Sequence, residues 1–159
     1  MTQVMKCVGA SRKIFALMNH DSDNASKGIE KPEISGKIEL TSVHFVYPSR
    51  PDRKVVEDLN LAIETGSTVA FVGSSGGGKS TVVALIERFY KPTSGSILMD
   101  GISIEEIDHE YYHEKIALVA QEPVLYNGTI RENILYGCEW ATEADMLRSA
   151  QTANAHDFI

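Results

Sequence analysis

Residues 68 to 81 read Thr-Val-Ala-Phe-Val-Gly-Ser-Ser-Gly-Gly-Gly-Lys-Ser-Thr, and this stretch decides the fold. Gly73, a four-residue gap, Gly78, Lys79 and Ser80 match the P-loop pattern, in which a glycine-rich loop surrounds phosphate groups. The pattern alone is short, so the interpretation depends on what lies on either side of it.

The flanking residues predict the strand–loop–helix setting that a P-loop requires. Thr68–Val72 is a β-branched and aromatic run, which is typical of a buried strand. After the loop, apolar residues recur at Val82, Leu85, Ile86 and Phe89, the spacing of one helix face. A chance Gly/Ser-rich loop would not have this setting.

The residue types of the loop fit polyphosphate chemistry. Glycines at 73, 76, 77 and 78 let the backbone approach a ligand closely, because no Cβ intervenes. Consecutive N–H groups and the positive end of the following helix attract phosphate. Lys79 can reach the β- and γ-phosphates, and the Ser80 hydroxyl can bind Mg²⁺.

Composition limits the other functions that the chain could have. The 159 residues are enough for one domain, and a net charge of -7 argues against nucleic acid as a partner. Cys7 and Cys138 are far apart and match no metal-binding spacing, which is typical of reduced thiols. We find no apolar run of about 18 residues that would predict a membrane span.

The chain divides into three predicted segments. Residues 1–19 have a loose apolar stripe at helical spacing, and residues 20–35 are polar and read as a linker. Residues 36–159 form the predicted domain. Within it we expect strands at 37–47, 55–63, 96–99 and 102–104 around an Asp100-Gly101 turn, a short strand at 116–120, and helices at 108–115, 129–135 and 143–155.

Several motifs occur in an order that resembles one family. They are Tyr47-Pro48, the P-loop, Pro92-Thr93-Ser94-Gly95 with Asp100-Gly101, Gln121-Glu122-Pro123, and Gly128-Thr129-Ile130-Arg131-Glu132-Asn133-Ile134. Their order resembles the nucleotide-binding domain of ABC transporters, and in particular the exporters of the multidrug and antigen-peptide-transporter group. The resemblance covers residues 36–159 closely, and residues 9–19 resemble the segment that follows the last membrane helix.

The resemblance implies roles for individual residues. Tyr47 resembles the aromatic residue that stacks on adenine, although a strand-end tyrosine in the core is the alternative. Gln121 resembles the glutamine that approaches Mg²⁺ and the γ-phosphate, although a structural hydrogen bond would suit it equally. The resemblance implies Lys79 and Gln121 as catalytic, Ser80 and Gln121 as Mg²⁺ ligands, and a nucleotide site made of Tyr47, Gly73, Ser74, Ser75, Gly76, Gly77, Gly78, Lys79, Ser80, Thr81 and Gln121.

The resemblance also implies a fold, a cofactor and partners. The expected fold is α/β, with a RecA-like P-loop NTPase core beside an antiparallel β subdomain. ATP with Mg²⁺ would be the cofactor. A second nucleotide-binding domain, paired head to tail, and a transmembrane domain would be the partners. The domain would lie on the cytosolic face of a membrane, and a peptide is one candidate for the transported substrate.

Parts of the family pattern are missing from these residues. We find no Leu-Ser-Gly-Gly-Gln signature, no Walker B aspartate, no catalytic glutamate and no switch histidine. We therefore expect an N-terminal part of the domain, truncated before the helical subdomain and the Walker B strand, which binds ATP without hydrolysing it alone.

Two features resemble functional sites but are interpreted as structural. Asp100 ends an apolar run as a Walker B aspartate would, but it follows Lys79 too closely and Gly101 makes it a turn residue. His109 and His113 have a possible metal-binding spacing, but a solvated helix face is the expected setting.

Three functions remain open at this stage. The chain is an ATPase half-site of an exporter, a nucleotide-binding module without turnover, or a different P-loop enzyme such as a small-molecule kinase. A kinase would have its P-loop near the N-terminus and arginine-rich lid segments, and neither is present.

Overall fold

The computed structural model describes residues 28–138 and 140–159, together with Ser11, Arg12, Ile14, Phe15 and Met18. These five separate positions have helical backbone. The rest of the helix predicted for residues 1–19, and residues 20–27 of the predicted linker, lie outside the described residues. The chain forms two compact units, one reaching to Leu118 and one from Val119 to Ile159.

From residue 28 onward, the first unit contains an antiparallel sheet and two helices. In chain order its elements are β1 (Ile38–Val46), β2 (Lys54–Ile63), α1 (Lys79–Ile86), β3 (Ser94–Met99), β4 (Ile102–Ser103) and α2 (His109–Lys115). The strand order is β2-β1-β3-β4, and every pairing is antiparallel. The predicted antiparallel β subdomain and the helix after the P-loop are therefore both present.

The first strand contains a shift of register near Ser42. Ser42 has φ 45°, and its N–H donates to the Asn60 side-chain oxygen at 2.8 Å instead of continuing the ladder. The Asp100-Gly101 turn has positive φ at both residues, 52° and 84°, as a type I′ hairpin requires.

One hydrophobic core joins the sheet to both helices. Val43 and Leu85 are fully buried, and so is Tyr112 of α2. The core consists of buried apolar and aromatic side chains: Leu40, Val43, Phe45, Val56, Val82, Leu85, Ile97, Met99, Ile104, Ile107 and Tyr112. Burying the inner face of α1 in this core fixes the position of the P-loop, because the loop leads directly into this helix.

The C-terminal end of α1 is held by side chains of α2. The Tyr112 hydroxyl donates to the Ile86 carbonyl oxygen at 2.7 Å, and His113 Nε2 lies 3.0 Å from the Glu87 carbonyl oxygen. His113 is thus half-buried against α1, and the prediction of a solvated face for it was wrong. It failed because the contact joins residues 26 positions apart in sequence.

Two predicted strands are not paired strands in the structure. Thr68–Val72 and residues 116–120 have no hydrogen-bonded neighbour strand in the described part of the chain. Val72 is 92% exposed and Val119 is 96% exposed. Neither run is therefore buried, contrary to expectation. A ladder needs a second strand beside it, and none of the described segments supplies one to these residues.

The segment before β1 lies along the residues that join β4 to α2 and along the start of α2. Glu30 forms an isolated parallel bridge with Ile107, and the Tyr111 hydroxyl donates to the Pro32 carbonyl oxygen at 2.6 Å. The second half of the predicted linker therefore contacts the domain. The boundary near Gly36 stays a prediction.

The second unit contains α3 (Ile130–Leu135) and α4 (Glu143–Thr152). Both helices begin with capping boxes, Thr129 with Glu132 and Thr142 with Asp145. The Asn133 side chain closes the preceding loop by bonding both the N–H and the carbonyl oxygen of Tyr126, at 2.8 and 3.0 Å. Across the described part of the chain, no helix has the length and apolar character needed to cross a bilayer.

Candidate functional site

The P-loop leaves the first turn of α1 with free N–H donors. Gly78 is the N-cap residue, with φ 82° and no side-chain hydrogen bond to the helix end. The N–H groups of the first helical turn have no intrahelical acceptor, so they are available to a ligand. They also lie at the positive end of the helix dipole. This is the arrangement that binds phosphate oxygens at a helix N-terminus.

Gly78 is required by the space around it as well as by its φ angle. A Cβ atom at this position would lie 2.9 Å from the Val55 carbonyl oxygen, a distance that real Cβ atoms essentially never show. Since Val55 belongs to β2, the sheet and the P-loop are in close backbone contact here. The glycine therefore lets the start of α1 lie directly against the sheet.

Lys79 extends across the loop that precedes it. Its Nζ atom donates to the Gly73 carbonyl oxygen at 2.9 Å and to the Ser74 carbonyl oxygen at 2.7 Å. The ammonium group thus lies over the loop, where a bound polyphosphate chain would pass.

A cleft of about 310 Å³ lies between the P-loop and the turn that joins β1 to β2. The P-loop side contributes residues 76–81, and the turn with the start of β2 contributes Tyr47, Arg50, Arg53, Lys54 and Val55. Two backbone hydrogen bonds shape the turn: Arg50 N–H to the Tyr47 carbonyl oxygen at 2.9 Å, and Arg53 N–H to the Arg50 carbonyl oxygen at 3.1 Å.

The cationic side of this cleft was missed by the sequence reasoning. Arg50, Arg53 and Lys54 lie within five residues of each other, immediately after Tyr47, and that local density of charge was the available signal. Neither Arg50 nor Arg53 forms an ion pair with another described residue, whereas Lys54 pairs with Glu57 at 3.1 Å. On a chain of net charge -7, this turn and Lys79 make the cleft locally positive.

Tyr47 lies at the same cleft and is held from three directions. Its ring contacts Phe45 and Tyr90 edge-on, with centroid distances of 5.0 and 5.2 Å. Its hydroxyl lies 3.0 Å from Thr81 Oγ1 in the first turn of α1. The structure therefore brings the predicted aromatic residue and the P-loop to one cavity.

The donor set of the cleft suits Mg²⁺ bound together with a phosphate ligand. Ser80 is exposed on the first turn of α1 and lines the cleft, where its hydroxyl can serve as an oxygen ligand. Among the described residues, no group of three or more His, Cys, Asp or Glu side chains could hold a metal ion. Mg²⁺ usually takes most of its ligands from water and substrate phosphates, so one protein hydroxyl is in keeping with this cation.

Gln121, the other predicted Mg²⁺ ligand, belongs to the second unit. It lies in an exposed loop between the first residues of that unit and α3. Its role as a Mg²⁺ ligand and catalytic residue remains a prediction.

Comparison with known proteins defines the class to which this fold and site belong. The family model described as ABC transporter matches residues 56–159. The chain therefore belongs to the ABC transporter family, and its fold is that of a P-loop NTPase domain with an antiparallel sheet. The resemblance drawn from the motifs is confirmed.

Individual relatives agree with the exporter group. ABC transporter B family member 1 of Dictyostelium discoideum is 47% identical over 160 residues, covering 100% of this chain and 18% of that protein. ABC transporter B family member 1 of Arabidopsis thaliana is 43% identical, with 100% and 13% covered. Antigen peptide transporter 2 of Rattus norvegicus is 40% identical over 153 residues, with 96% and 22% covered. The chain thus spans about a fifth or less of these relatives.

Proposed function

We propose that this chain binds MgATP in the cleft between the P-loop and Tyr47, as part of the ATPase domain of an ABC exporter. One observation supports the proposal above the others. The free N–H groups at the start of α1, the Lys79 ammonium and the Tyr47 ring all lie at one cavity of about 310 Å³. A polyphosphate and an aromatic base need these two kinds of surface together.

Each side of the cleft would recognise a different part of the nucleotide. The first-turn N–H groups of α1 would donate to phosphate oxygens, and Lys79 would exchange two backbone carbonyl acceptors for phosphate oxygens. The Tyr47 ring would stack on adenine, which typically contributes about 1–3 kcal/mol. Ser80 would contribute its hydroxyl to Mg²⁺, which neutralises phosphate charge when bound.

The partners and the cellular place follow from family membership and are part of the proposal. A second nucleotide-binding domain would pair head to tail with this one, and a transmembrane domain would connect it to a transported substrate. The domain would then lie on the cytosolic face of a membrane. The name of the rat relative, antigen peptide transporter 2, refers to peptides, so a peptide is the substrate class that we propose first.

A second candidate, nucleotide binding without turnover, is favoured by the lining of the cleft. In the described part of the chain, the cleft is lined by cationic, hydroxyl, aromatic and glycine residues and by Val55, and no carboxylate is among them. Phosphoryl transfer to water needs a group that positions the water. Losing groups of this kind typically costs about 10²–10³ in rate each.

Phosphate release by the purified chain separates the two candidates. We expect release close to the rate of buffer alone, and Lys79→Ala serves as the control for contaminating ATPases. Turnover of several per minute that disappears in Lys79→Ala would favour the hydrolysing candidate.

The binding proposal itself is tested by thermal unfolding with a series of nucleotides and Mg²⁺. A ligand at about 100 times its Kd stabilises the folded state by about 2.7 kcal/mol. Because the site would bind β- and γ-phosphates, ATP should raise the unfolding temperature most, ADP less and AMP least. Equal protection by ATP and AMP, or protection by none, would contradict the proposal.

A further inference from the structure

The hydroxyls of Tyr47 and Thr81 form a hydrogen bond that connects the two sides of the cleft. The oxygens are 3.0 Å apart, and the residues are 34 positions apart in sequence. Tyr47 follows the last residue of β1, and Thr81 lies in the first turn of α1. This contact therefore joins the aromatic residue to the helix that follows the P-loop.

Both hydroxyls depend on this bond. Thr81 is 5% exposed and Tyr47 is half-buried, so neither is freely solvated. In the described part of the chain, neither hydroxyl has another hydrogen-bond partner. Leaving a buried hydroxyl without a partner costs free energy, so formation of this bond is favoured in the folded chain.

The ring contacts restrict the remaining freedom of Tyr47. Phe45 and Tyr90 meet its ring at interplanar angles of 79° and 86°, which is edge-to-face packing. These contacts fix the base of the side chain, and the Thr81 bond fixes its tip. The ring is thereby oriented before any ligand arrives, which lowers the entropy that binding must remove.

We propose that Thr81 is a positioning residue for the nucleobase: through its hydroxyl it holds the Tyr47 ring in the orientation that stacks on adenine. This inference rests on the proposed function of MgATP binding. The Thr81 backbone N–H belongs to the phosphate side of the site, whereas its side chain acts on the base side. Stacking then depends on the Tyr47 hydroxyl, and not only on the ring face that the sequence reasoning considered.

The two roles of Thr81 can be separated by substitution. Thr81→Val keeps the shape of the side chain and the backbone N–H, but removes the hydroxyl. Thr81→Ser keeps the hydroxyl. Tyr47→Phe removes the other partner of the same bond and leaves the ring. Tyr111→Phe is the matched control, because it removes a tyrosine hydroxyl that donates at 2.6 Å to Pro32, away from the cleft.

The experiment is calorimetric titration of the full chain with MgATP and, separately, with magnesium tripolyphosphate, which has no base. Thr81→Val and Tyr47→Phe should each weaken MgATP binding by about three- to tenfold, the size of one hydrogen bond. The double variant should be no weaker than either single one, since both remove the same bond. Tripolyphosphate affinity should fall less than MgATP affinity, Thr81→Ser should keep more MgATP affinity than Thr81→Val, and Tyr111→Phe should bind MgATP as the native chain does.

Equal weakening for both ligands would overturn the inference, because Thr81 would then act on phosphate or on the fold. Additive losses in the double variant, or no loss in either single variant, would overturn it as well. These outcomes leave the proposed function standing. If the native chain binds neither ligand, the proposed function fails, and the inference fails with it. Should Thr81→Val not fold, Tyr47→Phe still tests the same bond.

Discussion

The Asp100 carboxylate accepts hydrogen bonds from both the backbone N–H and the hydroxyl of Ser35, at 2.7 and 2.5 Å. The N–H groups of Gly36 and Lys37 add two more, each at 3.0 Å. The bond from the Ser35 hydroxyl, followed by that from Gly36 N–H, lowers the pKa of Asp100 to about 2. Asp100 therefore fastens the segment before β1 to the β3–β4 turn and is a structural residue.

Replacing Asp100 by Asn should destabilise the chain, because an amide cannot accept all four bonds. We expect a loss of about 1 kcal/mol at neutral pH, a modest figure because the carboxylate is largely solvated and water screens it. Urea unfolding measures the loss. Asp52→Asn is the control, since that exposed carboxylate makes no hydrogen bond to other described residues.

The same contact predicts a dependence on pH. The pKa of Asp100 is lowered in the folded chain, so its stabilising contribution is complete above the ordinary aspartate pKa of about 4. It is lost as the pH falls through about 2. The difference in unfolding free energy between the native chain and Asp100→Asn should therefore shrink between these values. A difference that is constant with pH would contradict this assignment.

Tyr112→Phe should destabilise the chain by loosening the end of the P-loop helix. The Tyr112 side chain is fully buried and its hydroxyl donates to the Ile86 carbonyl oxygen at 2.7 Å, and burial raises the pKa of that hydroxyl. Removing the hydroxyl leaves the Ile86 carbonyl oxygen, at the end of α1, without this hydrogen bond. The expected cost is about 1–3 kcal/mol.

The matched control for Tyr112→Phe is Tyr90→Phe. Tyr90 is 37% exposed, and its hydroxyl has no hydrogen-bond partner in the described part of the chain. Chemical denaturation of both variants measures the two losses. Losses of equal size would mean that the bond to Ile86 contributes nothing measurable.

Gly78→Ala should reduce both stability and nucleotide binding. The substitution puts a Cβ at a positive φ of 82° and 2.9 Å from the Val55 carbonyl oxygen, so the start of α1 must move away from β2. Left-handed backbone alone costs a non-glycine residue about 1–2 kcal/mol.

Gly137→Ala separates the backbone strain from the steric contact. Gly137 has a similar φ of 74°, but a Cβ there would meet nothing within 4 Å. Unfolding free energies of the two variants should differ, with Gly78→Ala the less stable. Loss of MgATP affinity should appear in Gly78→Ala only. If both variants behave alike, the contact with Val55 does not constrain the loop.

Features set by local sequence were predictable. The capping boxes at Thr129 and Thr142 and the Asp100-Gly101 turn each depend on residues within three positions, and all are present. The P-loop helix was predictable because its apolar face repeats at helical spacing.

Features that depend on distant partners were not predictable in the same way. Thr68–Val72 has the composition of a strand, but pairing depends on a neighbour that its own sequence does not encode. Arg50 and Arg53 follow Tyr47 closely in sequence, but only the folding of the β1–β2 turn over the P-loop shows that they line the cleft. The bond between Tyr47 and Thr81 likewise appears only once β1 and α1 are packed together.

The central claim is that the cleft binds MgATP through the P-loop, and calorimetric titration of the native chain, Lys79→Ala and Lys91→Ala tests it most directly. Lys91 is the matched control, because its ammonium forms an exposed ion pair with Glu105 at 3.4 Å, and pairs of this kind contribute little.

We expect the native chain and Lys91→Ala to bind MgATP with equal affinity and one-to-one stoichiometry. Lys79→Ala should bind about 10- to 150-fold more weakly, since a charge-assisted hydrogen bond contributes about 1.5–3 kcal/mol. Equal affinities for the native chain and Lys79→Ala would contradict the account.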